Sequence, residues 1–362
     1  MVERVHEFKR SLYVPKIPGV KAASPSNQLV VSTGIVSLDT IIGGGFPVGS
    51  LTIIEEDILG AHSDVMLRYF LAEGLIHEHR LMLACKDDDP MKTLTMLPRP
   101  VNLDQVTEEI QHGGDPSSMR IAWRYENITP QFDQMRQRSQ QRGGHDFDLS
   151  LPVGPEIDTL KETITTWSGC AEMECEWEAL LNHIDQEFVN EDLSLKNKDV
   201  NSNILRVCIK SFGSPMWDWQ DTEMCKFLWA LKSRLRRHYA AAVISLHPYS
   251  HQKPQRRDQI CQIADCVLKL NSFAGREEEH LPAFKSYHGM FRILKLPSVN
   301  ALATFVPPST DLAYKSRRKK FTVECFHLPP DLSENVSRVY KENSKVVLTA
   351  SGCVAPVGKL DF

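Results

Sequence analysis

The sequence predicts an α/β fold with a mostly parallel central sheet flanked by helices, on three observations. Short apolar runs recur at 50–55 (SLTIIE), 80–84 (RLMLA), 203–209 (NILRVCI) and 240–246 (AAAVISL), with the length and composition of strands buried on both faces. Stretches of helical spacing lie among them, at 63–77, 156–188 and 221–239. The run at 50–55 also passes through a short loop directly into a helix, the arrangement on which phosphate-binding P-loops are built.

The stretch 33–70 organises the chain. It opens TGIVSLDTIIGGGFPVGSLTIIEED and reads as a strand, a glycine turn, a second strand and a helix. Gly43-Gly44-Gly45 gives a turn that side chains would block, and Pro47 and Gly49 set the approach to the strand at 50–55. Laid without gaps on G-x-x-x-x-G-K-[ST], the loop Glu56-Asp57-Ile58-Leu59-Gly60-Ala61-His62-Ser63 has Glu at the first glycine, Ala at the second and His where the lysine belongs. Only Ser63 fits.

A phosphate cradle needs exposed backbone amides and a cation, whereas Glu55, Glu56 and Asp57 bring three carboxylates to this place. Carboxylates beside a helix N-terminus are themselves favoured, by roughly 0.3–1 kcal/mol each when exposed. The anion position is therefore expected to be filled from within, by acids acting as a cap. The alternative is a remodelled nucleotide site in which Glu56, Asp57, Gly60, His62 and Ser63 act through a metal.

The opening TGIVSLDTIIGGGFPVGS resembles that of RecA-like ATPases, a P-loop NTPase-type fold. With IIEED in place of the lysine loop, followed by RYFLAEG (68–74), MRIAWRYEN (119–127), HDFDLS (145–150), KSFGSPMW (210–217) and FTVECFHLPPDL (321–332), the chain is similar to the family of Elongator subunit four, the PAXNEB family. One such block would say little; their common order is specific.

Composition agrees with a globular protein. The 362 residues suffice for one large domain or two ordinary ones, and the net charge of −4 leaves any nucleic-acid affinity to local patches. Nine scattered cysteines and the start MVERVHEFKR, which lacks a secretory apolar run, indicate a reducing compartment. Cys170/Cys175 and Cys261/Cys266 have no second pair or histidine set beside them, so no metal site is expected. No stretch has the eighteen or so apolar residues a membrane span requires, so no membrane association is expected.

Residues 1–27 mix Lys9, Arg10, Lys16 and Lys21 with prolines and serines, the composition of a flexible tail. The strand at 80–84 ends in Lys86-Asp87-Asp88-Asp89-Pro90. Asp87 or Asp88 could stand where RecA-like ATPases place the glutamate that orients the attacking water, while helix capping alone would also produce this acidic turn. Residues 98–116 read as loop, 119–127 as a strand and 131–155 as a mobile insertion. The stretch 156–188 reads as helical, with Trp167 and Trp177 on an apolar stripe, and 190–203 as a connector.

The strand at 203–209 stands where a Walker B strand would end in aspartate, and here Lys210-Ser211 follow. With His62 in place of lysine, two parts of the hydrolytic apparatus are missing. The helix at 221–239 carries Cys225, Leu228, Trp229, Leu231 and Leu235 on one side and cations toward its C-terminus. After the strand at 240–246, the loop 247–257 interleaves Tyr249 with Lys253, Arg256 and Arg257, which suits stacking and phosphate neutralisation on RNA, or else is a plain surface loop. Strands follow at 266–270, 290–296 and 321–327, the last two as a hairpin at the sheet edge. The basic run containing Arg317, Arg318 and Lys319 between them fits a phosphate clamp, a localisation signal or edge protection.

Together with the resemblance, this gives one RecA-like domain over 28–332, with tails at 1–27 and 333–362. The resemblance implies a heterohexameric ring with Elongator subunits five and six, docked on subunits one to three, that binds tRNA and supports wobble-uridine modification in cytoplasm and nucleus. A link to RNA polymerase II is also implied. Such a subunit is non-catalytic or a degenerate ATPase, with ATP and Mg²⁺ left open at ring interfaces. Competing readings are an active ring-forming recombinase or clock-type ATPase, and a pure protein-interaction scaffold.

Overall fold

The computed structural model describes residues 17–23, 27–58, 61–101, 144–169, 175–190, 193, 195, 203–248, 254–281, 284–299 and 305–326. The expected strand at 119–127 and most of the stretch read as an insertion lie outside them, as does the C-terminal tail.

A nine-stranded sheet forms the centre. Its parallel part comprises β4 (Leu51–Glu55), β5 (Arg80–Ala84), β8 (Ile164–Trp167), β9 (Leu205–Phe212), β10 (Ala240–Leu246) and β11 (Cys266–Ser272). Antiparallel β12 (Gly289–Lys295), β13 (Leu312–Ser316) and β14 (Phe321–Cys325) extend one edge, giving the order β14-β13-β12-β11-β4-β10-β9-β5-β8. A small sheet of β1 (Val20–Ala23), β2 (Gln28–Val31) and β3 (Phe46–Pro47) precedes it, and β6 (Pro98–Pro100) pairs with β7 (Phe147–Pro152).

Six helices are described: α1 (Val36–Ile42), α2 (Ala61–Ile76), α3 (Pro90–Thr95), α4 (Glu176–Asn190), α5 (Asp221–Leu235) and α6 (Pro254–Ile263). The period-two alternation of the strands sorts them into two layers. Ile54, Ala241 and Val243 face a core shared with Leu38 of α1, Phe70 of α2 and Leu94 of α3. Ile53, Ala242 and Ile244 face one shared with Leu180 of α4, Leu228 of α5 and Ile260 of α6. Both faces of the parallel strands are thus covered, which explains their continuous apolar runs.

Several expectations are corrected. The first apolar segment of 33–70 is the helix α1: Leu38, Ile41 and Ile42 bury at helical spacing, and Gly43 ends the helix at φ 89°. Its Asp39 is buried, accepting hydrogen bonds from Ser32 Oγ (2.5 Å), Thr33 Oγ1 (2.7 Å) and Thr33 N (2.9 Å). Ile164–Trp167, read as helix, is the edge strand β8, and Trp167 stacks on Trp217 instead of lining a helix stripe. Trp229, placed on the apolar side of α5, is 59% exposed. The late hairpin pairs β13 with β14, so the basic run is the end of β13 and its turn.

Within stretches read as tail and insertion, Val20–Ala23 is β1 and Phe147–Pro152 is β7, with Phe147 in the core. The strand at 203–209 continues through Lys210 and Ser211 to Phe212, with Ser211 at φ 50°.

Candidate functional site

Parallel strands present their C-terminal ends along one edge, and in open α/β sheets that edge is where ligands bind. Here it gathers Glu55, Glu56 and Asp57 after β4, Asp87 and Asp88 after β5, and Lys210 and Ser211 at the end of β9. His62, Ser63 and Asp64 open α2. Gly60 lies outside the described residues.

The carboxylates of β4 are engaged by the protein itself. Glu55 is fully buried, with Arg257 Nη2 at 2.6 Å, Lys269 Nζ at 3.4 Å and the Cys261 thiol at 3.3 Å. Glu56, also buried, accepts from Ser211 Oγ at 3.2 Å. Burial pushes its carboxyl up to about 7, against hydrogen bonds from Ser245 and Ser211, while nearby Asp87 raises it further and Lys210 opposes. Asp57 Oδ2 lies 3.2 Å from His62 Nδ1.

His62, at the lysine position, is turned into the protein. Its Nδ1 is 3.3 Å from Tyr314 Oη and its ring packs on Tyr314 at 4.8 Å between centroids, with His288 at 6.3 Å. Ser63 is buried. An ammonium comes from the opposite side of the motif: Lys210 Nζ lies 3.0 Å from Asp64 and 3.2 Å from Asp88. These carboxylates raise the Lys210 pKa against the effect of its burial. Polarity is thereby reversed relative to a P-loop site, with the cation on the strand and carboxylates on the loop and helix.

The acidic turn caps α3. Asp89 accepts from Met91 N at 3.0 Å with Pro90 in the first helical turn, Asp87 accepts from Ser214 Oγ at 2.6 Å, and Asp88 pairs with Lys210.

Of the residues expected on RNA, Tyr249 and Lys253 lie outside the described residues. Arg256 and Arg257 belong to α6 instead of a loop. Arg256 is buried, 3.0 Å from Asp221 and against the Met224 sulfur, and Arg257 serves Glu55. Arg317, Arg318 and Lys319 are exposed in the β13–β14 turn, with Lys319 3.7 Å from Asp148. Because β13 runs in the same direction as β11, this turn lies at the same sheet edge as the acidic site.

A second polar cluster sits away from that edge. Arg206 of β9 is fully buried, donating to the Ser32 and Phe70 carbonyls, both at 2.9 Å, and to His79 Nδ1 at 3.0 Å. That bond fixes the tautomer: His79 Nε2 carries the hydrogen and donates to the Pro18 carbonyl at 2.7 Å. Burial first, then Arg206, lowers the His79 pKa to about 3, so its ring is neutral. Nothing in the local sequence around Arg206 announces it, since its partners are 127 to 174 residues away.

The model of the PAXNEB protein family matches residues 14–353. The chain belongs to the PAXNEB family. Among its relatives, the protein of Danio rerio named Elongator complex protein 4 is 35% identical, covering 94% of this chain and 90% of its own. The Xenopus laevis protein of that name is 34% identical over 98% of this chain and 95% of its own. The Homo sapiens one is 32% identical over 96% and 89%. PAXNEB membership thus extends beyond the quoted blocks to both ends of the sheet.

Proposed function

We propose that this chain is a subunit of the Elongator complex, built on a RecA-like domain that contributes assembly contacts and part of an RNA surface instead of ATP hydrolysis of its own. One observation carries the reading: at the carboxyl end of β4, where a RecA-like fold would seat a phosphate, Glu55, Glu56 and Asp57 are held by Arg257, Lys269, Ser211 and His62. A polyphosphate brought there would meet buried carboxylates before any uncommitted cation on the loop. The names of the relatives support the complex, and the parallel sheet with β4 inside it and helices on both faces supports the RecA-like fold.

The ring reading follows from that fold: subunits five and six of Elongator complete a heterohexamer that docks on the larger subunits and holds tRNA for wobble-uridine modification, in cytoplasm and nucleus. Composite nucleotide sites completed by a neighbouring subunit belong to the same reading. For RNA, the exposed Arg317, Arg318 and Lys319 replace Arg256 and Arg257 as the side chains that reach phosphates.

Co-expression with subunits five and six, followed by mass measurement, tests the assembly. A six-chain species containing this subunit is expected; a stable monomer indifferent to both partners would contradict it.

A further inference from the structure

Glu73 and His77 lie one turn apart on α2, which places both side chains on one face of the helix. His145, just before β7, closes on them from another part of the chain. His77 Nε2 is 3.2 Å from Glu73 Oε1, and His145 Nδ1 is 3.1 Å from the same oxygen. The backbone N–H of His145 donates to the other oxygen, Oε2, at 3.1 Å and so fixes the plane of the carboxylate. One donor atom from each residue lies within 4.8 Å of the other two.

We propose that Glu73, His77 and His145 form a binding site for a divalent transition-metal ion of the zinc type. Two imidazoles and a carboxylate are a donor set that such ions accept. Two of the three separations fit: with metal–ligand bonds of about 2.0–2.1 Å, the edge of a tetrahedron is about 3.3–3.4 Å, close to the two nitrogen–oxygen distances present, while the two nitrogens lie within 4.8 Å of each other. On binding the ion, His77 Nε2 and His145 Nδ1 give up any proton and turn their lone pairs from Glu73 Oε1 to the metal. Glu73 is fully buried while the His145 side chain is 42% exposed, so the ion is anchored from inside and keeps a fourth position open toward solvent.

The surroundings hold the ligands in place. Gly19, at φ 66°, lies so close against the His77 ring that a side chain there would collide with it. The His77 and His145 rings stand 5.2 Å apart between centroids. Behind the site, the buried Arg206 is balanced by Asp39 and Glu73. A bound ion would clip α2 to the segment leading into β7, across the 67 residues between His77 and His145, and closing a long loop of this kind is stabilising.

The full-length chain, stripped with a chelator, is titrated with Co²⁺ and then with Zn²⁺, following visible absorption and thermal unfolding. Expected are one equivalent of four-coordinate Co²⁺ bands, their loss on adding Zn²⁺, and a rise in Tm with Zn²⁺, all abolished in His145→Ala and in His77→Gln. Absence of bands in the wild type overturns the proposal, as do bands and a Tm rise that persist in both variants, which would put the metal on cysteines elsewhere. Circular dichroism identifies any variant that has not folded. If His145→Ala is lost that way, the partly exposed His145→Gln decides: metal uptake unchanged from wild type overturns the site, and uptake lost with the fold intact supports it.

Discussion

Lys210 and Asp64 face each other at 3.0 Å, the ammonium on a strand and the carboxylate in the first turn of a helix. A P-loop site has the opposite arrangement, with the lysine at the loop and helix and the acid on the strand. The pair ties β9 to α2, and Asp88 adds a second carboxylate at 3.2 Å. Lys210→Met is therefore expected to destabilise the domain by about 1–3 kcal/mol in denaturant unfolding. Pairing it with Asp64→Asn in a double-mutant cycle should recover part of the loss, and strictly additive effects would deny the coupling.

Arg257 closes a buried charge, because Glu55 has no exposure to water. Arg257→Ala leaves that carboxylate with Lys269 at 3.4 Å and should cost about 3 kcal/mol or more. Arg256→Ala, which uncovers Asp221, should likewise appear first in stability. Weakened tRNA binding by either variant at unchanged Tm would show that they act on RNA after all.

Arg317→Ala, Arg318→Ala and Lys319→Ala together should leave the unfolding free energy within about 1 kcal/mol of wild type, as surface changes do. If the chain joins the proposed ring, tRNA binding by that ring should weaken and become less dependent on salt. An unchanged salt slope would remove this turn from the RNA surface.

Glu56 gives the edge a pH dependence. Its folded pKa of about 7 lies above the ordinary 4.5, so the folded state holds the proton more tightly than the unfolded chain does. The resulting stabilisation is full below about 4.5 and is lost as pH rises through about 7. Glu56→Gln should flatten the fall in stability between pH 5 and pH 8, read by denaturant midpoints. An equal slope in both proteins would mean that Glu56 ionises freely in the fold.

The parallel strands were legible because burial on both faces leaves continuous apolar runs such as RLMLA and AAAVISL. β8 was missed because Ile164–Trp167 is a short edge strand, buried only at Trp167, that follows directly on the 3-10 turns of Gly154–Thr163. α1 read as a strand because its apolar residues crowd before three glycines, and the left-handed φ of Gly43 as a helix stop shows only in the structure. The absent lysine was visible in the loop itself. What stands in its place was not, since Arg257, Lys269 and Lys210 reach the edge from elements more than 140 residues further on.

Arg206→Met removes the donor to two buried carbonyls and to His79. A loss of about 3 kcal/mol or more is expected, with nucleotide and RNA behaviour of the remaining folded protein unchanged.

Calorimetric titration of the isolated chain with ATP and Mg²⁺ bears most directly on the internal occupation of the phosphate position. No saturable, Mg²⁺-dependent binding is expected from the lone subunit, and no turnover. Stoichiometric binding that requires Mg²⁺, is lost in Ser63→Ala and is accompanied by hydrolysis would contradict it.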